Sequence, residues 1–442
     1  MLKTKQTILF LTMTFLLSSI TSAEDWPQWR GTDRDAQWNE KGIIDAIPEE
    51  GLEVVWRQPI NQGYSGPAVV GDKVYVTDYI LKSGDPRNGP GTINQIQGTE
   101  RVLCLNATDG ELIWKHEYDC PYRISYPGGP RTTPTVDEDR VYTFGAEGHL
   151  FCFDRNSGDV LWSKQMRDEY KAKTPIWGFS SHPLVDGEFI YCVVGGDNSV
   201  AVALDKMTGE ERWTALSASE PGYAPPSIVE VGKTRQLLIW DADNLNSLDP
   251  QTGEVYWTEE LKPQYAMSIM APQLSGDLLF ASSIGDVGAL YKLGSETPSA
   301  DIVWRGTNRS AVYCANSTPF IDNGVIYGND CRSGALVAVD IKDGHRLWTT
   351  FEATTTGRPA SHGTAFIVKN QQTYFLFNEF GDLITAKLTP EAYVETGRFH
   401  VLEPTNEAFG RKVVWAHPAF ANGHCFVRND KEIVCVSLKA DK

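Results

Sequence analysis

One phrase constrains this chain more than any other feature: an Asp or Asn, then Gly four residues on, then Trp eight residues on. It reads Asn106-Ala-Thr-Asp-Gly110 to Trp114, Asp154 through Gly158 to Trp162, and Asp205 through Gly209 to Trp213. Asp249 through Gly253 to Trp257 and Asp340 through Gly344 to Trp348 complete the clear copies. Trp304 ends a copy with a longer turn, Phe399 ends another, and Trp56 stands where an earlier one would end. These eight aromatics lie 44 to 58 residues apart, the period of four-stranded propeller blades.

The chemistry of the phrase fits that reading. The Asp or Asn side chain bonds turn amides, and the Gly supplies a positive φ between two strands. The Trp, a side chain that buries on the order of 200 Å², then wedges between its own sheet and the next. A second phrase opens each unit: Gly66-Pro67, Thr133-Pro134, His182-Pro183, Pro225-Pro226, Ala271-Pro272, Thr318-Pro319 and His417-Pro418, with Gly363-Thr364 in the remaining slot. Proline is admissible at a strand's first residue, where it forfeits no ladder bond. Each unit thus reads as four antiparallel strands, a to d. After His417-Pro418 only three strands remain, while residues 53–59 have no unit of their own. Pairing 53–59 with 432–438 completes an eighth blade and removes two open sheet edges. The predicted fold is an all-β, eight-bladed propeller over residues 51–442.

Lys3 and Lys5, an apolar run from Ile8 to Ile20 and Thr21-Ser22-Ala23 have the form of a signal peptide over residues 1–23. Export to the periplasm or beyond is the expectation, with residues 24–50 as a lead-in strap. The chain carries 40 basic and 57 acidic residues, a net −17, and loss of Lys3 and Lys5 would make this −19. Nucleic acid and anionic lipid are therefore poor partners. Of the eight Cys, Cys104, Cys152, Cys192, Cys425 and Cys435 sit in apolar strand-like runs and read as buried thiols. Cys314 and Cys331 flank one blade and are the first pair to consider for a disulfide.

At this point the sequence resembles the pyrroloquinoline-quinone-repeat propellers from about residue 51 onward. The Ala203-Leu204-Asp205 to Gly209 to Trp213 phrase matches that family's tryptophan-docking motif, and Asp25-Trp-Pro-Gln-Trp-Arg-Gly31 looks like the lead-in of secreted members without a known reaction. The family comprises quinone-dependent dehydrogenases and non-catalytic, BamB-like scaffolds. The dehydrogenases carry adjacent cysteines and a Glu/Asn/Asp calcium site beside the quinone. No two Cys are adjacent here, and that ligand set does not map onto this chain. With these departures from the dehydrogenase pattern, no bound cofactor or metal is expected, and pyrroloquinoline quinone stays the alternative.

Strand order places the a–b and c–d turns on one face and the b–c turns and d–a links on the other, upper face. The upper face receives 117–131, 163–180, 305–316, 400–416 and an insertion from Ile80 to Gly98 whose Gly, Pro and Asn content predicts a flexible loop. Residues just before each strand a are expected to ring the mouth: Tyr64, Arg131, His182, Tyr223, Asn316, Arg358, His362 and His417. Three His could hold a metal or move protons, but ring spacing across eight blades favours polar lining of a wet channel. Arg131 and Arg358 are read as partners of acidic neighbours rather than grips for a ligand carboxylate. Asp197, Asp241, Asp243, Asp286, Asp330, Asp382 and Asp430 gather in b–c turns, where turn geometry already demands them. The expected function is a monomeric exported scaffold binding a protein, peptide or envelope polymer. The alternative is a quinone- or metal-dependent oxidoreductase with a simplified site at the mouth.

Overall fold

The computed structural model describes residues 23–440, so the expected signal stretch falls almost wholly outside the described residues. Eight antiparallel sheets carry the a–d order. Seven blades run in sequence, from strand a of blade 1 (Ala68–Val70) to strand d of blade 7 (Tyr393–His400). The eighth takes Ala419–Ala421, His424–Arg428 and Glu432–Ser437 from the C-terminal end and Val54–Pro59 from the N-terminal end. Trp56 pairs with Cys435 across that seam, as the sequence predicts. Among the described residues, helix is confined to one α turn, Met166–Glu169, and one 3-10 turn, Gln264–Ala266. No helix among the described residues is long and apolar enough to cross a membrane.

Every strand d carries a β-bulge, and in seven blades the bulge falls immediately before the docking Trp. A bulge re-aims the following side chain, and the indole turns onto the next blade. Trp114 shows the pattern. Its Nε1 donates to Arg155 O at 3.1 Å, in the c–d turn of blade 2. Gly158 of that turn has φ +76°, and a Cβ there would lie 2.6 Å from Trp114 Cδ2. Glycine is required twice over, by backbone conformation and by the ring against it. The same dock joins Trp56, Trp162, Trp213 and Trp304 to the following turns. Trp348 bonds Thr389 O. Trp257 bonds Gln236 Oε1 of its own blade instead, because the next c–d turn is the longer, degenerate one.

Phe399 departs from the expected pattern. The bulge register in blade 7 puts Gly397, not Phe399, opposite Thr385. A Cβ on Gly397 would meet Ile47 O at 2.3 Å, so the lead-in occupies the space of a docking ring there. Phe399 packs two residues further on, against Gly51.

The Ile80–Gly98 insertion is also not the loop expected. Strands Lys73–Gly84 and Asn94–Asn106 continue through it as a long hairpin, and Tyr122–Ile124 adds a fifth strand to its side. Asn88 at its tip donates to Asn406 Oδ1 at 2.6 Å and to Glu407 O at 2.8 Å, which pins it to the link between blades 7 and 8. Extended pairing satisfies backbone groups that a loop would leave to water.

The considered disulfide does not form: all eight Cys are free thiols. Cys314 is buried, with its sulfur beside Gly328, while the Cys331 sulfur lies 3.6 Å from His362 Nε2.

Strands a of neighbouring blades touch one another and line the central channel. The lead-in strap fills that channel. Trp26 forms a bridge to Val69 of blade 1, Pro27 O accepts from Val136 N of blade 2, and Trp38 N donates to Lys369 O of blade 7. Arg34 donates to Pro226 O of blade 4 at 3.0 Å and to Pro183 O of blade 3. Arg30 reaches Thr318 O of blade 6 at 2.9 Å and Gln273 Oε1 of blade 5 at 3.2 Å. Trp26 also packs on Phe420 of blade 8. The strap thus touches all eight blades. Its tight coil uses left-handed backbone at Arg30, Gly31, Arg34 and Ala36. Both guanidiniums are buried, which lowers their pKa values to about 10 and about 9.

Candidate functional site

Above the strap the channel widens into a bowl of about 880 Å³. Its floor is Trp29, which is buried and stacked on His182 with ring centroids 4.9 Å apart. Its walls come from the links after strands d and from the hairpin tip at Pro90 and Gly91. A cavity of this size falls at the upper end of ordinary ligand pockets, ~300–1,000 Å³.

Seven of the eight expected rim residues line the bowl: Tyr64, Arg131, His182, Tyr223, Asn316, His362 and His417. Arg358 does not. It is exposed in a run of turns, its carbonyl accepting from Thr355 Oγ1, because the link from blade 6 to blade 7 folds back before strand a begins. Among the described residues Arg131 pairs with no acid. It donates to the carbonyls of Trp177, Gly129, Ser125 and Tyr126, and its guanidinium lies 5.1 Å from the Tyr64 ring centroid. These bonds leave little of the fork for a ligand.

The three histidines split into two groups. His182 and His417 are neighbours beside Trp29, with ring centroids 6.4 Å apart. His362 stacks on Phe409 at 4.6 Å and touches Cys331 and Asn316. His182 Nδ1 accepts from Thr133 N at 3.0 Å, so that nitrogen carries no proton. Burial, helped by His417 and Arg34, pushes His182 well below its ordinary value. Burial and Arg30 take His417 to about 3, while burial and Arg411 take His362 to about 4. All three are neutral imidazoles at neutral pH. Burial raises the carboxyl pKa of Glu220, the single acid on the lining among the described residues.

The depressed histidines carry a pH consequence. A base whose folded pKa lies below its unfolded value of about 6.5 binds more protons unfolded. Its contribution is complete above pH 6.5 and is lost as pH falls toward the folded value. Stability is therefore expected to decline between pH 6.5 and pH 4.5, more shallowly in His417→Gln. Urea midpoints across that range check this.

The seven b–c acids lie off the bowl. Asp241 accepts from Asp243 N and Asn244 N, and Asp330 accepts from Ser333 N. Among the described residues the one tight group of metal-ligating side chains is Asp340, Asp343 and His345, in a c–d turn away from the bowl.

Sequence reading missed Trp29, Tyr126, Trp177, Tyr265, Phe409 and Trp415 on the lining. Tyr126, Trp177, Phe409 and Trp415 stand in links that strand order had already sent to the upper face, so their location was legible and their aromatic content was the unused signal. Trp29 gave none, since nothing local says that a strap enters a channel.

A family model described as outer membrane protein assembly factor BamB matches residues 40–170, 98–261 and 241–439. The chain belongs to this PQQ-repeat family. Its relatives fall on both branches of the family. Quinohemoprotein alcohol dehydrogenase ADH IIB of Pseudomonas putida is 24% identical over 61% of this chain and 42% of its own length. BamB of Kangiella koreensis is 27% identical over 35% of this chain and 36% of its own. BamB of Shewanella oneidensis is 21% identical over 60% and 70%. The chain thus spans less than half the length of the first two. Among solved structures, BamB from Moraxella catarrhalis aligns with a TM-score of 0.58 at 14% identity, covering 87% of this chain and 99% of that one. Quinohemoprotein alcohol dehydrogenase ADHIIG from Pseudomonas putida aligns at 0.59 and 14%, covering 95% and 81%. These likenesses confirm the PQQ-repeat propeller.

Proposed function

We propose that the chain is an exported, non-catalytic PQQ-repeat propeller that holds a ligand or partner in its upper bowl. The observation that carries this reading is the state of the bowl's ionisable groups. The histidines are neutral, Arg131 is bonded to four carbonyls, and Glu220 is the lone acid. Such a lining offers binding surface and little acid–base capacity.

The quinone from which the family takes its name fits this lining poorly. It carries three carboxylates and works beside a calcium ion, which takes six to eight oxygen ligands. The bowl presents one guanidinium, already spent, and one carboxyl. The BamB-named relatives, described as outer membrane protein assembly factors, support a scaffold in the periplasm or beyond; a closed ring is self-sufficient, so a monomer is its simplest form. The dehydrogenase relatives supply the competing reading. The test is titration of the purified mature protein with pyrroloquinoline quinone and calcium, followed by intrinsic Trp fluorescence and by dye-linked alcohol oxidation. No saturable binding and no turnover are expected. Stoichiometric quinone binding would replace the scaffold with an oxidoreductase.

A further inference from the structure

The bowl's chemistry narrows what it holds. Its walls carry Tyr64, Tyr126, Trp177, Tyr265, Phe409 and Trp415. Tyr126 stacks on Trp415 at 6.2 Å, and Trp177 meets Tyr223 edge-on at 5.6 Å, so the rings are braced by one another. Two are held out into solvent: Tyr265 is 73% exposed and Phe409 44%. Both stand on left-handed backbone, φ +59° and +51°, as do the lining residues Tyr126 and His362 at +53° and +60°. For a bulky side chain that conformation is strained, and such strain gathers where a fold serves a ligand. Hydrophobic collapse would hide Tyr265 and Phe409. Here strained backbone holds both rings out.

Charge excludes the commoner occupants. An anionic ligand finds no uncommitted cation on the lining, and the chain as a whole carries −17. A cationic ligand finds only Glu220, whose burial favours the neutral form. A peptide usually gains affinity by adding to a free strand edge, but the strap already takes the channel-side edges at Val69 and Lys369. What remains is a set of flat apolar faces interspersed with neutral hydrogen-bonding groups: Ser180, Asn316, Ser317 and Thr318. At the floor, Trp29 Nε1 is buried with no acceptor among the described residues.

We infer that the bowl is a binding site for a neutral, hydroxyl-rich sugar chain, whose C–H faces stack on the aromatic walls while its hydroxyls meet the neutral polar groups. This rests on the binding reading above and names its ligand class. The sugar is either a free oligosaccharide or a segment of a wall or envelope polysaccharide, since the two share the same chemistry.

The test is a glycan array of neutral and acidic oligosaccharides, followed by calorimetry with the retained compounds and co-sedimentation with insoluble polysaccharides. Wild type, Trp177→Ala, Trp415→Ala and Trp177→Phe are compared, each first shown to unfold at the wild-type temperature. If one Ala variant fails that control, the other and the Phe variant carry the comparison. The expected result is saturable binding of at least one neutral glycan, weakened about tenfold or more by either Ala variant, ~1.4 kcal/mol, and largely kept by Trp177→Phe. Calorimetric binding assigns a free oligosaccharide, and co-sedimentation alone assigns a polymer. The inference fails if no neutral glycan is retained above the Ala variants, or if acidic glycans are preferred. Failure here together with no quinone binding leaves the scaffold reading standing, whereas stoichiometric quinone overturns both.

Discussion

Replacing Arg34 with Met is expected to destabilise the protein by about 3–5 kcal/mol, although the side chain touches neither the bowl nor a neighbouring acid. The guanidinium donates to Gln28 Oε1, Pro226 O and Pro183 O. Met fills similar volume but leaves two main-chain carbonyls unpaired in a closed channel, at roughly 1–3 kcal/mol each. The loss also frees the coil that presents Trp29, so the bowl loses its floor along with the blades' shared anchor. Lysine is no remedy, because one ammonium on a flexible stem does not reproduce a fork that spans two blades. Urea unfolding followed by Trp fluorescence measures the loss. A change under about 1 kcal/mol would show that the strap rests in the channel without holding it.

The second large effect is expected at the blade docks. Gly158→Ala should cost about 2–4 kcal/mol, from a left-handed φ of +76° and from a Cβ placed 2.6 Å from the Trp114 ring. Trp114→Ala should cost ~3–5 kcal/mol by opening a cavity between blades 1 and 2. The two should not add. With the indole gone, the clash term at Gly158 disappears and only the backbone term persists, so the double variant should fall short of the sum by 1 kcal/mol or more. Thermal or urea unfolding of the four proteins measures that shortfall. Strict additivity would mean that ring and turn act independently, against the contact described.

The repeat made the architecture readable because each copy encodes a local event, a turn with a ring eight residues after its first residue. Blade number, strand order and the seam at Trp56 follow from that spacing. Phe399 shows where the spacing misleads: the register belongs to Gly397, and the missing ring is replaced by Ile47 from a distant segment. Periodicity cannot register such a substitution. The hairpin over Ile80–Gly98 was obscured by its Gly, Pro and Asn, which match a loop but are tolerated in a long pair braced by a fifth strand. At the site, strand order fixed the correct face, and seven rim positions converged there. What those residues do was less legible. Arg131 bonds carbonyls rather than acids, and the histidines take their neutrality from burial that only the assembled ring provides.

A seam made from both ends of the chain also dictates an order of events. Val54–Pro59 leaves the ribosome well before its partner Glu432–Ser437, with seven blades made in between. Until that partner arrives, the first strand has no sheet to join, and the strap has only part of a ring to grip. Contacts of such sequence separation form slowly. The ring thus closes only after its seventh blade is made, and a chain cut just before Glu432 would keep seven blades and lose its closure.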